Sequence, residues 1–186
     1  MKITINTKEL LTATQSVVGV VEKKQTMPIL GHILFEMKKN KAFLTATDLE
    51  VQIKSYAKLE TEATSEFSFT VSGRKLYDII RSLNDETVDL QIKNEKLNIT
   101  TKKSKYKLAT MSPQEFPVFD DKKAQDSLNI GQTELLEIIA KTQFAMAQQD
   151  VRFYLNGLLL EIGPNKITAV ATDGHRLSIG EVNQES

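Results

Sequence analysis

The chain has no cysteine, only eight glycines and four prolines, and two histidines among its 186 residues. The missing cysteine excludes a disulfide framework, a thiol nucleophile and a cysteine-ligated zinc, and it fits a reducing compartment. His32 and His175 have no second histidine at ligand spacing, so no metal site is expected. No Gly-x-x-x-x-Gly-Lys phosphate loop and no Gly-x-Ser-x-Gly elbow is present. No apolar run approaches the roughly 20 residues of a membrane helix, and Met1-Lys2-Ile3-Thr4 does not resemble a secretory signal. Net charge is zero, which excludes a uniformly basic nucleic-acid-binding domain and leaves room only for a local basic patch. With 40% hydrophobic and 26% charged residues, the composition is that of a globular chain long enough for one large domain or one and a fraction.

The sequence does contain a repeat. Glu9-Leu10-Leu11 recurs as Glu134-Leu135-Leu136, an offset of 125 positions. At the same offset Gly31–Asp48 aligns without gaps on Asn156–Asp173, with Leu, Glu, Asn, Lys, Ala, Thr and Asp in register. One offset held across a helix, a loop and two strands indicates a tandem duplication.

Each copy opens alike. Lys2 to Asn6 alternates like a strand. Thr7 is the expected helix N-cap, and Leu10, Leu11, Thr14, Val17, Val18 and Val21 are the expected buried stripe. Strands are expected at His32–Lys38, Ala42–Asp48 and Glu50–Leu59. A diverged second unit follows, with a strand at Phe67–Val71 and a helix face of Leu76, Ile79, Ile80 and Leu83. Its strands are Thr87–Lys93, Lys96–Lys102 and Lys105–Ser112. A third unit starts at Ser127. Its helix buries Leu135, Ile138, Ile139, Thr142 and Met146, and its strands fall at Tyr154–Ile162, Lys166–Asp173 and His175–Val182. The class is therefore α+β, with β-α-β-β-β units. Two units close one domain, a sheet backed by two helices. The expected boundaries are 1–120 and 127–186, with Pro113 to Asp126 as linker. By the offset Ser186 falls at position 61 of the first copy, so the second domain is expected to carry its first half here.

The catalytic inventory is nearly empty. Asp48 and Asp173 are equivalent, and a carboxylate pair is compatible with a two-metal nuclease. The simpler reading is that each starts a turn after a strand. Lys23 and Lys24, Arg74, Lys75 and Arg81, and Lys141 lie away from the apolar stripes. They form either ordinary solvated faces or a discontinuous surface for phosphates.

Gln148 to Gly157, including Asp150-Val151-Arg152-Phe153-Tyr154-Leu155, and Ala171-Thr172-Asp173-Gly174-His175-Arg176-Leu177 closely resemble bacterial DNA sliding clamps. So do Thr26 to Gly31, Thr45 to Glu50 and Glu115-Phe116-Pro117. The resemblance runs from Met1 to about Val182. It implies the DNA clamp fold, three similar domains per protomer, and a head-to-tail homodimeric ring with helices lining the hole and sheets outside. It implies a non-catalytic processivity factor of the DNA polymerase III type, without cofactor. Such a ring holds double-stranded DNA without reading sequence. Its partners are the polymerase catalytic subunit, the clamp loader and other proteins with clamp-binding motifs, in the cytoplasm at the nucleoid. A basic lining and an acidic exterior are implied as well.

Carried over residue by residue, Lys24, Gln149, Phe153 and Tyr154 match DNA-contacting positions, with Arg74 a plausible addition. Phe153 stands where the family carries tyrosine, which removes a hydroxyl. Lys75, Ile79, Tyr106 and Leu108 match the first-domain side of the dimer interface, although Ile79 also suits the core. Leu155, Thr172, Gly174, His175, Arg176 and Leu177, with Arg152 nearby, match one wall of a hydrophobic protein-binding cleft. The competing reading, less favoured because the first copy lacks this chemistry, places Leu155 and Leu177 simply in the core. The rival functions are a nucleic-acid enzyme with an acidic site and a structural repeat protein that binds only proteins.

Overall fold

Strand β1 (Lys2–Asn6) alternates buried and accessible residues and runs directly into helix α1 (Thr7–Val18). The computed structural model describes residues 2–21, 27–60, 65–119 and 128–183. The cap of α1 is Asn6 rather than Thr7. Asn6 is extended (φ −63°, ψ 128°), and its Oδ1 accepts the N–H groups of Lys8 at 3.0 Å and Glu9 at 3.4 Å. Thr7 is already helical and buried, and its hydroxyl finds no hydrogen-bond partner among the described residues. Leu10, Ala13, Thr14, Val17 and Val21 are buried, while Leu11 and Val18 sit at the stripe's margin. Ala13 was not in the expected stripe because a methyl group contributes little to a hydrophobic pattern.

Strands β2 (His32–Lys38), β3 (Lys41–Thr47) and β4 (Gln52–Lys58) complete the first unit. The second is β5 (Phe67–Ser72), α2 (Gly73–Ser82), β6 (Thr87–Lys93), β7 (Lys96–Thr100) and β8 (Lys105–Ala109). The one sheet expected for a pair of units is two four-stranded antiparallel sheets, ordered β1-β6-β7-β8 and β4-β3-β2-β5. Each unit lends its opening strand to the other: β1 pairs with β6 and β5 with β2. A bridge between Ile5 and Leu59 ties the sheets together. This exchange is the physical reason that two units close together, since neither fills its own sheet. One core results, with Leu10 and Val17 of α1 and Leu76 and Ile80 of α2 packed in a cluster with Ile5, Phe35, Leu44, Leu90 and Ile99.

Several strands are shorter than their apolar alternation suggested, because side chains and backbone turn the chain first. Asp48 starts a turn ahead of β4. Thr101 Oγ1 accepts the N–H groups of Lys103 and Ser104, ending β7. Thr110 donates both its N–H and its hydroxyl to the Glu95 carbonyl, ending β8. The segment expected to be linker is partly core. Pro113–Glu115 forms a 3-10 turn, and Phe116 is buried in a second cluster with Ile29, Leu30 and Leu34.

The chain divides into two compact bodies, Met1–Asp121 and Lys122–Ser186. The second holds α3 (Gln132–Thr142) and a three-stranded sheet ordered β11-β10-β9. Its strands are β9 (Leu159–Ile162), β10 (Lys166–Thr172) and β11 (Leu177–Asn183). Ser127 lies outside the described residues, and no strand precedes α3 among those described. The offset seen in the sequence carries β3 onto β10 and β4 onto β11. It also carries the 3-10 turn Pro28–Gly31 onto the 3-10 turn Phe153–Asn156. That turn replaces the first half of the strand expected from Tyr154. On α3 only Ile138 and Thr142 are fully buried; Leu135 and Ile139 are half-buried, and Met146 lies beyond the helix.

Candidate protein-partner cleft

Two loops of the second body meet at Gly174. The β10–β11 turn is built by Thr172 and Asp173. The Thr172 hydroxyl accepts the Gly174 N–H at 3.0 Å and donates to the Arg176 carbonyl at 2.7 Å. Asp173 Oδ1 accepts the N–H groups of His175 and Arg176 at 2.9 and 3.0 Å, and its Oδ2 accepts from Arg176 Nε at 2.9 Å. Those backbone bonds are the main reason the Asp173 carboxyl is held below its ordinary range. Gly174 takes φ +89°, a conformation that L side chains rarely adopt, and a Cβ there would stand 3.3 Å from Arg152 Nη1, a tight contact, so both features favour glycine.

Arg152 reaches that spot from the other loop. Asp150 clamps it from below, with Oδ1 accepting Nε at 3.0 Å and the backbone N–H at 2.8 Å, and Oδ2 accepting Nη2 at 2.9 Å. The Arg152 side-chain bonds bring the Asp150 carboxyl down to about 2. Asn156 fixes Asp150 in turn, bonding its N–H and its carbonyl at 3.0 Å each. Leu155 is held by its N–H to the Arg152 carbonyl and by its own carbonyl, which accepts from Ala147. Arg176 extends over the Phe144 ring, 5.9 Å from its centroid.

The site is therefore a polar rim around accessible apolar surface. Leu155 is half-buried, Leu177 is 61% exposed, and neither belongs to the core cluster of that body. The fully buried reading of both leucines does not hold for the described residues. Of the residues singled out in the sequence, Arg152, Leu155, Thr172, Gly174, His175, Arg176 and Leu177 all lie on these two loops and the adjoining ends of β10 and β11. Asp150, Asn156 and Phe144 were missed as supports, although the Asp-x-Arg spacing of Asp150 and Arg152 signals an ion pair.

The first copy makes the same turn, as the reading of Asp48 anticipated, but with no glycine in it. Asp48 Oδ1 accepts the N–H groups of Glu50 and Val51, Thr47 Oγ1 accepts that of Leu49, and Leu49 takes φ 78°. The turn belongs to the shared scaffold, and both aspartates serve it, which favours the turn reading over a metal pair. No group of three or more His, Cys, Asp or Glu placed to hold a metal occurs among the described residues. What differs between the copies is the arginine pair: Met27 and Val51 stand where the second copy has Arg152 and Arg176. Leu30, the repeat equivalent of Leu155, is 4% exposed and shares its cluster with Phe116.

The other sets divide differently. Lys24 lies outside the described residues. Arg74 donates from Nη2 to the Val21 carbonyl at 2.6 Å, so it already has a structural task in closing the end of α1. Gln149 is exposed with φ 57°; Phe153 and Tyr154 are 82% and 68% exposed with rings edge-on at 6.0 Å. Ile79, Tyr106 and Leu108 are half-buried against the core, whereas Lys75 is exposed. Strand β8 is an edge of its sheet, with one side unpaired among the described residues.

Paired units that exchange opening strands, with helices gathered on the core side of the sheets, define the DNA clamp architecture. Residues 1–120 match the family described as DNA polymerase III beta subunit, N-terminal domain, and residues 129–186 match its central domain. A beta sliding clamp of Pseudomonas putida is 42% identical over 180 residues, 96% of this chain and 49% of that protein. The solved Pseudomonas aeruginosa sliding clamp bound to griselimycin superposes with a TM-score of 0.92 at 39% identity, covering 100% of this chain and 50% of that one. The Caulobacter crescentus beta subunit gives 0.91 at 33%, with 99% and 50% covered. The chain belongs to the bacterial DNA polymerase III beta-subunit family, the beta sliding clamps. It spans about half the length of the curated relatives it matches.

Proposed function

We propose that this sequence is the front part of a processivity clamp, a non-catalytic ring that encircles duplex DNA and tethers the replicative polymerase. In this reading residues 1–120 form the first clamp domain and 127–186 the first half of the second. The protomer closes as a head-to-tail homodimer through Lys75, Ile79, Tyr106, Leu108 and the edge of β8. Lys24, Arg74, Gln149, Phe153 and Tyr154 face the duplex and contact its backbone without reading bases. The cleft around Leu155 and Leu177 takes short apolar peptides of the polymerase catalytic subunit, the clamp loader and other partners. The ring works in the cytoplasm at the nucleoid. No helix among the described residues is long and apolar enough to cross a membrane.

The observation that carries this reading is the Arg152–Gly174 meeting beside accessible Leu155 and Leu177. It is built on a scaffold that the first copy shares and uses differently. The test is topological. A full-length clamp carrying this sequence should stay on nicked circular DNA after loading and slide off once the circle is linearised. Equal retention on both forms would exclude encirclement, and divalent-metal-dependent cleavage of either would favour the nucleic-acid enzyme.

A further inference from the structure

We propose that the face of the β6-β7-β8 sheet turned away from the core is a docking surface for an acidic protein segment. Its centre is the end of the β6–β7 hairpin. Lys93 and Lys96 stand directly opposite each other across the strands, joined by a turn in which Asn94 and Glu95 both take left-handed φ, 52° and 55°. Like charges placed directly across a ladder oppose strand pairing. Lys107 on the next strand, with Asn94 and Asn98, completes a shallow concavity of about 310 Å³. Lys105 continues the same face two residues along β8.

Among the described residues no carboxylate lies within ion-pair distance of Lys93, Lys96, Lys105 or Lys107. Asp89, which faces the same way, is taken by Lys2 at 2.8 Å and by the Thr4 hydroxyl at 2.7 Å. The first unit supplies an internal comparison. Its equivalent hairpin end carries Lys38 opposite Lys41, also a like-charge pair. There Lys38 binds Glu36 at 3.1 Å and Lys41 lies 4.0 Å over the Tyr56 ring. One hairpin compensates its lysines internally and the other leaves them for a ligand. The family resemblance implied an acidic exterior, and this sheet face departs from it.

The chemistry favours a peptide over a nucleic acid. Binding of single strands draws on aromatic faces for stacking. The aromatic of this stretch, Tyr106, is turned inward and packs against the core. Lysines two apart on a strand repeat at roughly 6.8 Å, the spacing of alternate carboxylates on an extended chain. Point-charge ammonium donors with flanking amides suit carboxylates that need no fixed fork.

The test uses the whole chain at low ionic strength with a labelled decaglutamate peptide, a labelled thymidine decamer and two matched variants, K93Q/K96Q and K38Q/K41Q. The expected result is saturable peptide binding that exceeds oligonucleotide binding. K93Q/K96Q should weaken it on the order of tenfold, whereas K38Q/K41Q leaves it within about twofold. No saturable binding of the peptide, equal or tighter binding of the oligonucleotide, or equal losses in the two variants would each overturn the proposal.

Discussion

Phe116 and Leu30 are buried in one apolar cluster, and Leu155, which the repeat places at Leu30's position, is only half-buried. In the first copy Phe116 fills this spot. Removing the Phe116 ring should cost about 2–4 kcal/mol, toward the low side of buried aromatic truncations because the cluster is small. Urea unfolding of the chain measures this. A loss under about half a kcal/mol would mean that the segment from Pro113 merely lies on the surface.

The two copies make one turn with different residues at its left-handed position, Leu49 at φ 78° and Gly174 at φ 89°. Gly174→Ala should cost about 1–2 kcal/mol from backbone strain alone. It should also displace the Arg152 guanidinium, 3.3 Å from the new Cβ. Leu49→Gly should be close to neutral, because relief of strain offsets the added freedom of the unfolded chain. Thermal melts of both variants decide; equal destabilisation in the two copies would refute the contrast.

How much of this was legible beforehand differs by kind. The repeat offset predicted element positions well, because duplicated segments share hydrophobic periodicity. The exchange of β1 and β5 between sheets was not legible, since strand pairing is set by contacts distant in sequence. Nor was Phe116: a single aromatic between prolines and charges looks like linker until the groove it fills is known. For the site, Arg152, Gly174 and Leu177 could be singled out by motif. The clamp from Asp150 and Asn156 depends on a turn whose left-handed Gln149 carries no sequence signature.

Asp150 provides a pH signature. Its carboxyl lies at about 2 when folded, chiefly through the Arg152 side chain, below the unfolded value of about 3.9. A depressed acid stabilises the fold above its unfolded value, and the contribution is lost as pH falls from about 4 to 2. Carboxyl NMR should place the Asp150 midpoint near 2 and raise it toward the ordinary range in Arg152→Ala, which keeps the backbone N–H bond to Asp150. An unchanged midpoint in that variant would remove Arg152 as the cause.

His32 runs the same way for a different reason. Burial, then the Lys75 charge, lowers its pKa below 6.5, so its neutral form is favoured by folding. The contribution is present above the unfolded value and fades as pH falls through 6.5 toward the folded value. Thr70 donates its hydroxyl to the Met111 carbonyl at 2.9 Å and accepts the Met111 N–H, so His32 Nδ1, 3.0 Å away, must be the donor to Thr70. Nitrogen NMR should show the Nδ1–H tautomer with a midpoint below 6.5. The Nε2–H form would contradict this hydrogen-bond order.

The cleft itself is tested by separating peptide binding from assembly. Leu155→Ser with Leu177→Ser removes apolar surface that is half-buried at one position and 61% exposed at the other. The double change should therefore leave folding within about 1 kcal/mol. Anchors of a short apolar peptide typically lose more than tenfold in affinity when their pocket is made polar. A full-length ring carrying both changes should remain dimeric by light scattering yet lose affinity for a leucine- and phenylalanine-containing peptide by on the order of a hundredfold. Arg152→Ala should act more weakly, because it loosens the rim at Gly174 without touching the apolar floor. Unchanged peptide affinity in the folded, dimeric double variant would rule the site out, and loss of the dimer would instead place these leucines in assembly.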